Sequence, residues 1–323
     1  MQLTIGVLTS GGDAPGMNAV VRSVVRMGVH HGFSVLGFHR GFDGLMRGDF
    51  EALGPRSVSN ILQRGGTILK TARSEEFETE DGQKKARRVL EEHGVGGLVV
   101  IGGDGSFRGA HALFRIWDGR IIGVPATIDN DIYGTDETIG FDTALNTALE
   151  AIDRIRDTAS AHERLFLVEV MGRDSGFIAL NVGTAGGAEE IFVPEVVTDL
   201  DACTERLIAA RDKGKTMSII ICAEGDDQGG AFATAKELER RTGFEPRVSV
   251  LGHIQRGGRP SARDRILATK LGAYAVEAIH DGKTDVMVGE VRGELRATPL
   301  EESWTKKKEL DRFLLELIPI LAR

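Results

Sequence analysis

The chain has 323 residues, 41% of them hydrophobic and 27% charged. That is ample material for buried cores, at a length beyond the roughly 250–300 residues where one core usually splits in two. Its 42 glycines are about 13% of the chain against a usual ~7%, but they follow no triplet period and come with 8 prolines, which excludes collagen-like and disordered chains. A net charge of −8 and few aromatic residues (14 Phe, 2 Tyr, 2 Trp) exclude a general binder of nucleic acid or of anionic membrane surfaces. An anionic ligand must then be held locally, by Arg and Lys groups or by backbone N–H groups.

In chain order, the apolar run Leu3–Leu8 precedes the turn TSGGDAPG, and Met17–His30 has helical spacing. Asp81–His93 is again helical in spacing and leads to the run Gly97–Ile101, which GGDGS follows. Ile121–Val124 precedes PATIDND, and Thr143–Ala159 reads as a helix. Leu165–Val170 precedes MGRDSG, Leu200–Lys213 is helical, Ile219–Cys222 precedes AEGDD, and Val248–Leu251 precedes GHIQRGG. Continuous apolar strands alternating with helices predict βαβ units and a parallel sheet covered on both faces, a doubly wound α/β architecture. Ligands of such folds bind beyond the carboxyl ends of the strands, where each of these glycine turns falls. Six turns carrying Asp, Arg or His are better explained as one shared site than as six tight connections.

No linker, repeat or low-complexity tract marks a domain boundary. Cys203 and Cys222 match neither a disulfide framework nor metal-ligand spacing and read as core residues of a reducing compartment. The first residues lack the basic and apolar segments of a signal peptide, and no apolar run approaches ~20 residues, so a cytoplasmic protein is expected.

Gly102, Gly103 and Gly105 allow close backbone approach to a polyphosphate, and the following helix start favours anionic oxygens. Asp104 in their midst suits such a ligand only across a cation, which makes it a candidate Mg²⁺ ligand, acting through water. Ser106 is expected to cap that helix or to donate to phosphate. Walker A fails on spacing, because Gly214-Lys215-Thr216 and Gly282-Lys283-Thr284 have Ala209 and Glu277 where the first glycine belongs. The dinucleotide G-x-G-x-x-G fails too, with Arg108 in its third glycine slot.

In Thr127-Ile128-Asp129-Asn130-Asp131, two carboxylates could serve as general base and as metal or positioning group, or the segment could be an Asx-rich turn. Asp142 is expected to cap the long helix after it. Arg73, Arg164, Arg173, Arg247, His253 and Arg256 are all expected at or near turns that follow strands, converging as phosphate clamps. His253 and Arg256 beside Gly257 and Gly258 suggest a phosphomonoester pocket.

TSGGDAPGMN (Thr9–Asn18), RGGTIL (Arg64–Leu69), GGDGS (Gly102–Ser106), TIDND (Thr127–Asp131), MGR (Met171–Arg173) and GHIQRGG (Gly252–Gly258), in this order, resemble the phosphofructokinase superfamily and its bacterial, ATP-dependent 6-phosphofructokinases over essentially the whole chain. The resemblance implies two Rossmann-like lobes with mostly parallel sheets. The larger, nucleotide-binding lobe would comprise residues 1–140 and 255–305, and the smaller, sugar-phosphate-binding lobe residues 141–254 and 306–323.

It also implies a glycolytic kinase that transfers the γ-phosphoryl of ATP to the 1-hydroxyl of fructose 6-phosphate, with Mg²⁺. Asp129 matches the general base, Thr127 a contact to the transferring group or substrate, and Asp104 the Mg²⁺-associated carboxylate. Gly11 would offer its backbone to the phosphoryl group, and Arg73 and Arg173 would neutralise charge on it. Met171, Gly172 and Glu224 would hold the sugar. Arg164, Arg247, His253 and Arg256 would bind the 6-phosphate, with Arg164 and Arg247 reaching in from a neighbouring subunit of a homotetramer.

Pyrophosphate-dependent relatives carry Asp in place of Gly105 and Lys in place of Ala126, so ATP is the expected donor and pyrophosphate the alternative. Ala126 departs by one methyl from the usual glycine of the ATP branch. GFDTA and RDSGF read closer to the pyrophosphate and mixed branches, and Glu78 stands where an arginine often assists. Arg22, Arg26, Ser59, Arg156, Glu189, Lys213 and Lys215 match an intersubunit effector site for nucleoside diphosphate or phosphoenolpyruvate, with Pro55 in place of one expected arginine.

Overall fold

Runs of consecutive apolar residues have no face suited to water, and here they form strands of two sheets. The structure is a computed structural model describing residues 3–162 and 164–321; residues 1–2, 163 and 322–323, ends of the expected lobes among them, lie outside the described residues. The chain divides into two units. The first comprises Met1–Thr127, Ile132–Thr143 and Arg256–Lys308, and the second Ile128–Asp131, Ala144–Gln255 and Glu309–Arg323.

The first unit opens with β1 (Thr4–Thr9), α1 (Met17–His30), β2 (Ser34–Phe38), α2 (Gly41–Arg47) and β3 (Phe50–Ala52). A long loop leads to α3 (Glu80–Glu92), β4 (Val95–Gly102), α4 (Asp104–Phe114) and β5 (Arg120–Pro125). The 22-residue α5 (Phe141–His162) carries the chain into the second unit. There follow β6 (Leu165–Val170), α6 (Phe177–Ala185), β7 (Glu190–Phe192), α7 (Leu200–Asp212), β8 (Ser218–Ala223), α8 (Ala231–Thr242) and β9 (Arg247–Val250). The first unit resumes with α9 (Ala262–His280), β10 (Val286–Val291), β11 (Glu294–Pro299) and α10 (Glu302–Thr305), and α11 (Arg312–Leu321) belongs to the second.

Among the described residues the first unit holds a seven-stranded sheet in the order β11-β10-β5-β4-β1-β2-β3, and the second a four-stranded sheet in the order β7-β8-β6-β9. All pairings are parallel except those of β3 with β2 and β11 with β10, at the two edges of the larger sheet. The architecture is α/β with mostly parallel sheets, as the alternation of apolar runs and helices implies.

In the larger sheet Leu8, Phe38, Leu98 and Ile121 pack with Phe107 and Leu113 of α4 in one fully buried cluster. In the smaller sheet Leu167, Ile220 and Cys222 pack with Cys203 and Leu207 of α7 and Leu238 of α8. Helix α1 lies along α9, and Oγ of Ser23 donates to the Thr269 carbonyl at 2.7 Å. Side chains cap several helices as their sequences dictate: Thr79 accepts from Gly82 N, Asp199 from Ala202 N, and Ser261 from Asp264 N.

The start of α5 differs from expectation. Asp142 lies inside the first turn and does not cap it. Asp264, on α9, takes that role: its two carboxylate oxygens accept the N–H groups of Gly140 and Thr143, each at 2.8 Å, and the Thr143 hydroxyl as well. Burial pushes the Asp264 carboxyl above its ordinary range, and the three donors oppose that shift.

Candidate active site

In the first unit β1 is the switch point of the sheet, with β2 on one side and β4 on the other, so the turns after β1 and β4 diverge there. They are tied together. Ser10 N donates to the Ile101 carbonyl and Ala126 N to the Gly102 carbonyl, both at 2.9 Å. A Cβ on Gly102 would stand 2.5 Å from Ser106 Oγ and 2.6 Å from the Ser10 carbonyl, so a side chain there would force the two turns apart. Gly105 is different: a Cβ there would meet nothing within 4 Å. One glycine of the motif makes the turns fit, and the other leaves room.

Ser106 neither caps α4 nor points to solvent. The N-cap is Gly103, with no side-chain cap, and Ser106 is buried with its hydroxyl beside Gly11 and Gly102. The start of α4 therefore offers its amides to an anion in the manner of helix N-termini. Asp104, its first residue, is partly exposed and lies 3.8 Å from Arg108. A single hard carboxylate beside open space suits Mg²⁺, an ion that keeps most of its waters.

The RGGTIL segment is explained by the latch it makes. Asn18 accepts from Ile68 N at 2.8 Å and donates to the Arg64 carbonyl at 3.1 Å. Thr9 Oγ1 donates to the Lys70 carbonyl at 2.8 Å, and Thr71 Oγ1 to the Gly11 carbonyl at 2.6 Å. These bonds hold the loop that presents the exposed Arg73 against the turn after β1. Beyond it Phe77 stacks on Phe42, with ring centroids 4.0 Å apart, and anchors the short 3-10 turn that carries Glu78. Arg256 lies over the turn after β1, and its Nη1 donates to the Asp13 carbonyl at 3.4 Å.

In the second unit Asp129 is 1% exposed, and its Oδ2 lies 3.6 Å from Nε of Arg173. Two residues here hold left-handed backbones that non-glycine residues avoid, Asn130 (φ +55°) and Arg173 (φ +53°). Glu224, after β8, holds the turn after β6 by accepting from Gly172 N at 3.2 Å and Arg173 N at 2.7 Å. The Ser175 hydroxyl adds a tie, at 3.1 Å from the Asp129 carbonyl and 2.9 Å from that of Gly172. Met171 is buried behind the turn, and His253 is exposed in the 3-10 turn Gly252–Arg256.

Arg164 and Arg247 do not lie at turns that follow strands. Arg164 precedes β6, whereas Met171–Arg173 follow it, and seven steps of strand separate Arg164 from Met171 by about 23 Å. Arg247 opens β9, beside Phe166 in the parallel pairing, so it shares the amino edge of the sheet with Arg164. Both line a cavity of about 530 Å³ with Arg211, Lys215 and Glu245, and Arg247 pairs with Glu245 at 3.2 Å.

Of the residues matched to an effector site, Arg22 and Arg26 lie on α1 and Ser59 in the loop before α3, all in the first unit. In the second, Lys215 pairs with the buried Glu189 at 3.0 Å, Arg156 donates to the carbonyls of Gly186 and Gly187, and the exposed Lys213 ends α7. Cys203 and Cys222 are free and buried, and burial pushes the Cys203 thiol up to about 12.

Sequence reasoning missed Asn18, Thr71, Ser175 and Asp264. None contacts a ligand by motif, and each acts by holding a turn. Ser175 and Asn18 lie inside or next to quoted motifs, which is the only local signal they give.

Glycine turns abutting at a sheet switch point, followed by an uncapped helix start, define an α/β phosphate-binding protein. Residues 4–279 match the family described as Phosphofructokinase, and the chain belongs to that family. The ATP-dependent 6-phosphofructokinase 1 of Thermus thermophilus is 58% identical over 318 residues, covering 98% of this chain and 99% of that one. A phosphofructokinase structure from Saccharomyces cerevisiae has a TM-score of 0.88 at 38% identity over 94% of this chain, which spans 45% of the yeast chain. A pyrophosphate-dependent phosphofructokinase from Marinobacter aquaeolei, at a TM-score of 0.84 and 24% identity, covering 98% of this chain and 91% of that one, shares the fold.

Proposed function

We propose that this chain transfers the γ-phosphoryl group of ATP to the 1-hydroxyl of fructose 6-phosphate, giving fructose 1,6-bisphosphate and ADP, as a glycolytic phosphotransferase. The observation that carries the reading is the Asp129 carboxylate, 1% exposed and 3.6 Å from the Arg173 guanidinium. Near-complete coverage of a 58% identical ATP-dependent relative supports it.

Asp129 accepts the proton of the 1-hydroxyl as that oxygen bonds to the γ-phosphorus. The bond from the γ-phosphorus to the bridging oxygen breaks, and its electron pair leaves with ADP. Arg173, beside Asp129, faces the charge that spreads over the phosphoryl oxygens during transfer. Arg73 and the Gly11 amide act on the same charge, and Thr127 orients the group. Phosphoryl transfer asks mainly for such positioning and charge stabilisation. Asp104 would hold Mg²⁺, which when bound neutralises charge on the β- and γ-phosphates.

Gly102, Gly103, Gly105 and Ser106 accommodate the nucleotide in the first unit. In the second, Met171, Gly172 and Glu224 form the sugar's seat. His253 and Arg256 bind its 6-phosphate, together with Arg164 and Arg247 of a second copy. The position of Arg164 and Arg247 at the amino edge of their sheet supports that division and, with it, a homo-oligomer, here a homotetramer. Nucleoside diphosphate or phosphoenolpyruvate acts at the effector residues, and the enzyme works in the cytoplasm. The open space at Gly105 favours ATP over pyrophosphate, since an Asp side chain there would obstruct the α-phosphate.

A coupled assay with fructose 6-phosphate and Mg²⁺ tests this directly: turnover with ATP and none with pyrophosphate is expected, and the reverse overturns the donor assignment. Asp129→Ser should lower kcat by roughly 10²–10⁴ with near-normal sugar-phosphate binding. An unchanged kcat would remove Asp129 from the base role.

A further inference from the structure

Where α1 and α9 end, in the first unit, three side chains meet that the proposed reaction does not use. His31 follows the last residue of α1, and Glu277 and His280 lie in the last turn of α9. One ligand atom of each, a nitrogen from both imidazoles and an oxygen of the carboxylate, lies within 4.8 Å of the other two. Nε2 of His31 is buried, makes no hydrogen bond and stands 3.2 Å from Oε1 of Glu277. The His31 and His280 rings stack with centroids 4.5 Å apart, and Phe33 stacks on His31 at 5.6 Å, so packing fixes the plane of the inner ring.

The geometry points to a binding site for a divalent transition-metal ion of the Zn²⁺ class, held by His31, Glu277 and His280. Two imidazoles and one carboxylate are the donors that such ions take, whereas Mg²⁺ and Ca²⁺ prefer oxygen alone. Donors around a tetrahedral Zn²⁺, with bonds of ~2.0–2.1 Å, stand about 3.3 Å apart. His31 and Glu277 already have that spacing. His280, the exposed member, must close by ~1.5 Å at most, and its outer side is open to solvent. A buried nitrogen without a hydrogen bond is a group that gains by ligation.

Two further features favour a cation here. Both helices direct their carboxyl ends, the negative poles of their dipoles, at the cluster. Oδ1 of Asp281 lies 3.6 Å from Nδ1 of His280, and a carboxylate beside one ring nitrogen favours the other as ligand. The cluster precedes β2 and β10, at the amino edge of the parallel strands, so it is separate from the turns after β1 and β4. A bound ion would join the ends of two helices that already pack along their length.

Titrating the full-length enzyme with ZnCl₂ by calorimetry, without nucleotide or Mg²⁺, tests the site. The wild type should bind about one ion per chain with a higher thermal midpoint. His280→Asn and Glu277→Gln should each weaken binding by more than about tenfold and abolish the thermal shift, while turnover with ATP and Mg²⁺ stays unchanged. With Co²⁺ as probe, the wild type should show an intensified visible absorption that His280→Asn lacks. Absence of Zn²⁺ binding to the wild type, or equal affinity and equal Co²⁺ spectra in wild type and both variants, would overturn the assignment.

Discussion

Glu224 accepts the backbone N–H of Arg173 at 2.7 Å while Arg173 holds a left-handed backbone at φ +53°. A carboxylate on one strand end thus holds a strained residue on the neighbouring strand end, and that residue aims its guanidinium at Asp129. The strain persists because Glu224 and the Ser175 hydroxyl over-determine the turn.

Removing the tether should misplace Arg173 without touching the base. Glu224→Ala is expected to lower kcat/KM for fructose 6-phosphate by roughly 10²-fold, the scale of an ångström's misplacement. Glu224→Gln keeps an acceptor oxygen for the same amides and should recover most of that loss. Steady-state kinetics on both variants checks it, and equal damage in both would assign the effect to lost charge.

Arg164 sits at the far end of the strand that leads to Met171–Arg173, and Arg247 opens the strand beside it. If they serve a second copy, defective subunits should complement one another. Asp129→Ser and Arg164→Ala chains, each impaired alone, are expected to regain activity when co-assembled, because a mixed pair contains one intact site. Random pairing restores roughly a quarter of sites. Mixed assemblies no more active than the sum of the separate proteins, at subsaturating fructose 6-phosphate, would place both arginines elsewhere.

Two glycines of one motif should respond in opposite ways. Gly105→Asp meets no neighbour, so the thermal midpoint should hold while kcat/KM for ATP falls at least ~10-fold, the scale of one lost favourable interaction. Gly102→Ala drives a methyl into Ser106 and the Ser10 carbonyl, an overpacking that typically costs about 1–3 kcal/mol. Denaturant midpoints paired with ATP titrations separate the two.

Burial holds the Cys203 thiol at about 12, against 9.0 for an exposed thiol. Its proton is therefore bound more tightly in the folded chain than in the unfolded one. That contribution to stability is present below about 9 and is lost as pH rises through about 12. Urea midpoints of the wild type should fall across this window more steeply than those of Cys203→Ala. In the native state neither thiol should react with a thiolate-selective reagent at mildly alkaline pH, and both should react once the chain is unfolded.

Strands β1, β4, β5, β6 and β8 were legible in the sequence because burial on both faces leaves an uninterrupted apolar run, and Leu165–Val170 is read with its observed bounds, whereas the inner strands β2 and β10 were not read. The edges of the larger sheet were not: β3 and β11 are exposed along most of their length and carry no such run. Arg164 and Arg247 read as residues of turns that follow strands, whereas both stand where strands begin, and that side decides which edge of the sheet they occupy. The anchoring of α5 gave no local signal, since Asp264 lies more than a hundred residues downstream of the amides it accepts. Gly105 and Gly102 look alike in the motif, and only their surroundings separate room for a ligand from close packing.

Neither unit is a continuous stretch of polypeptide, and the first regains α9 and β10 only after the whole run from 144 to 255 has been made. During synthesis the β5 edge, which β10 later covers, stays bare while residues 126–285, about half of the protein, emerge. An unpaired edge next to apolar strands invites pairing with other nascent chains. Folding yield, more than final stability, should therefore be sensitive to whatever delays the arrival of residues 286–291 on the ribosome.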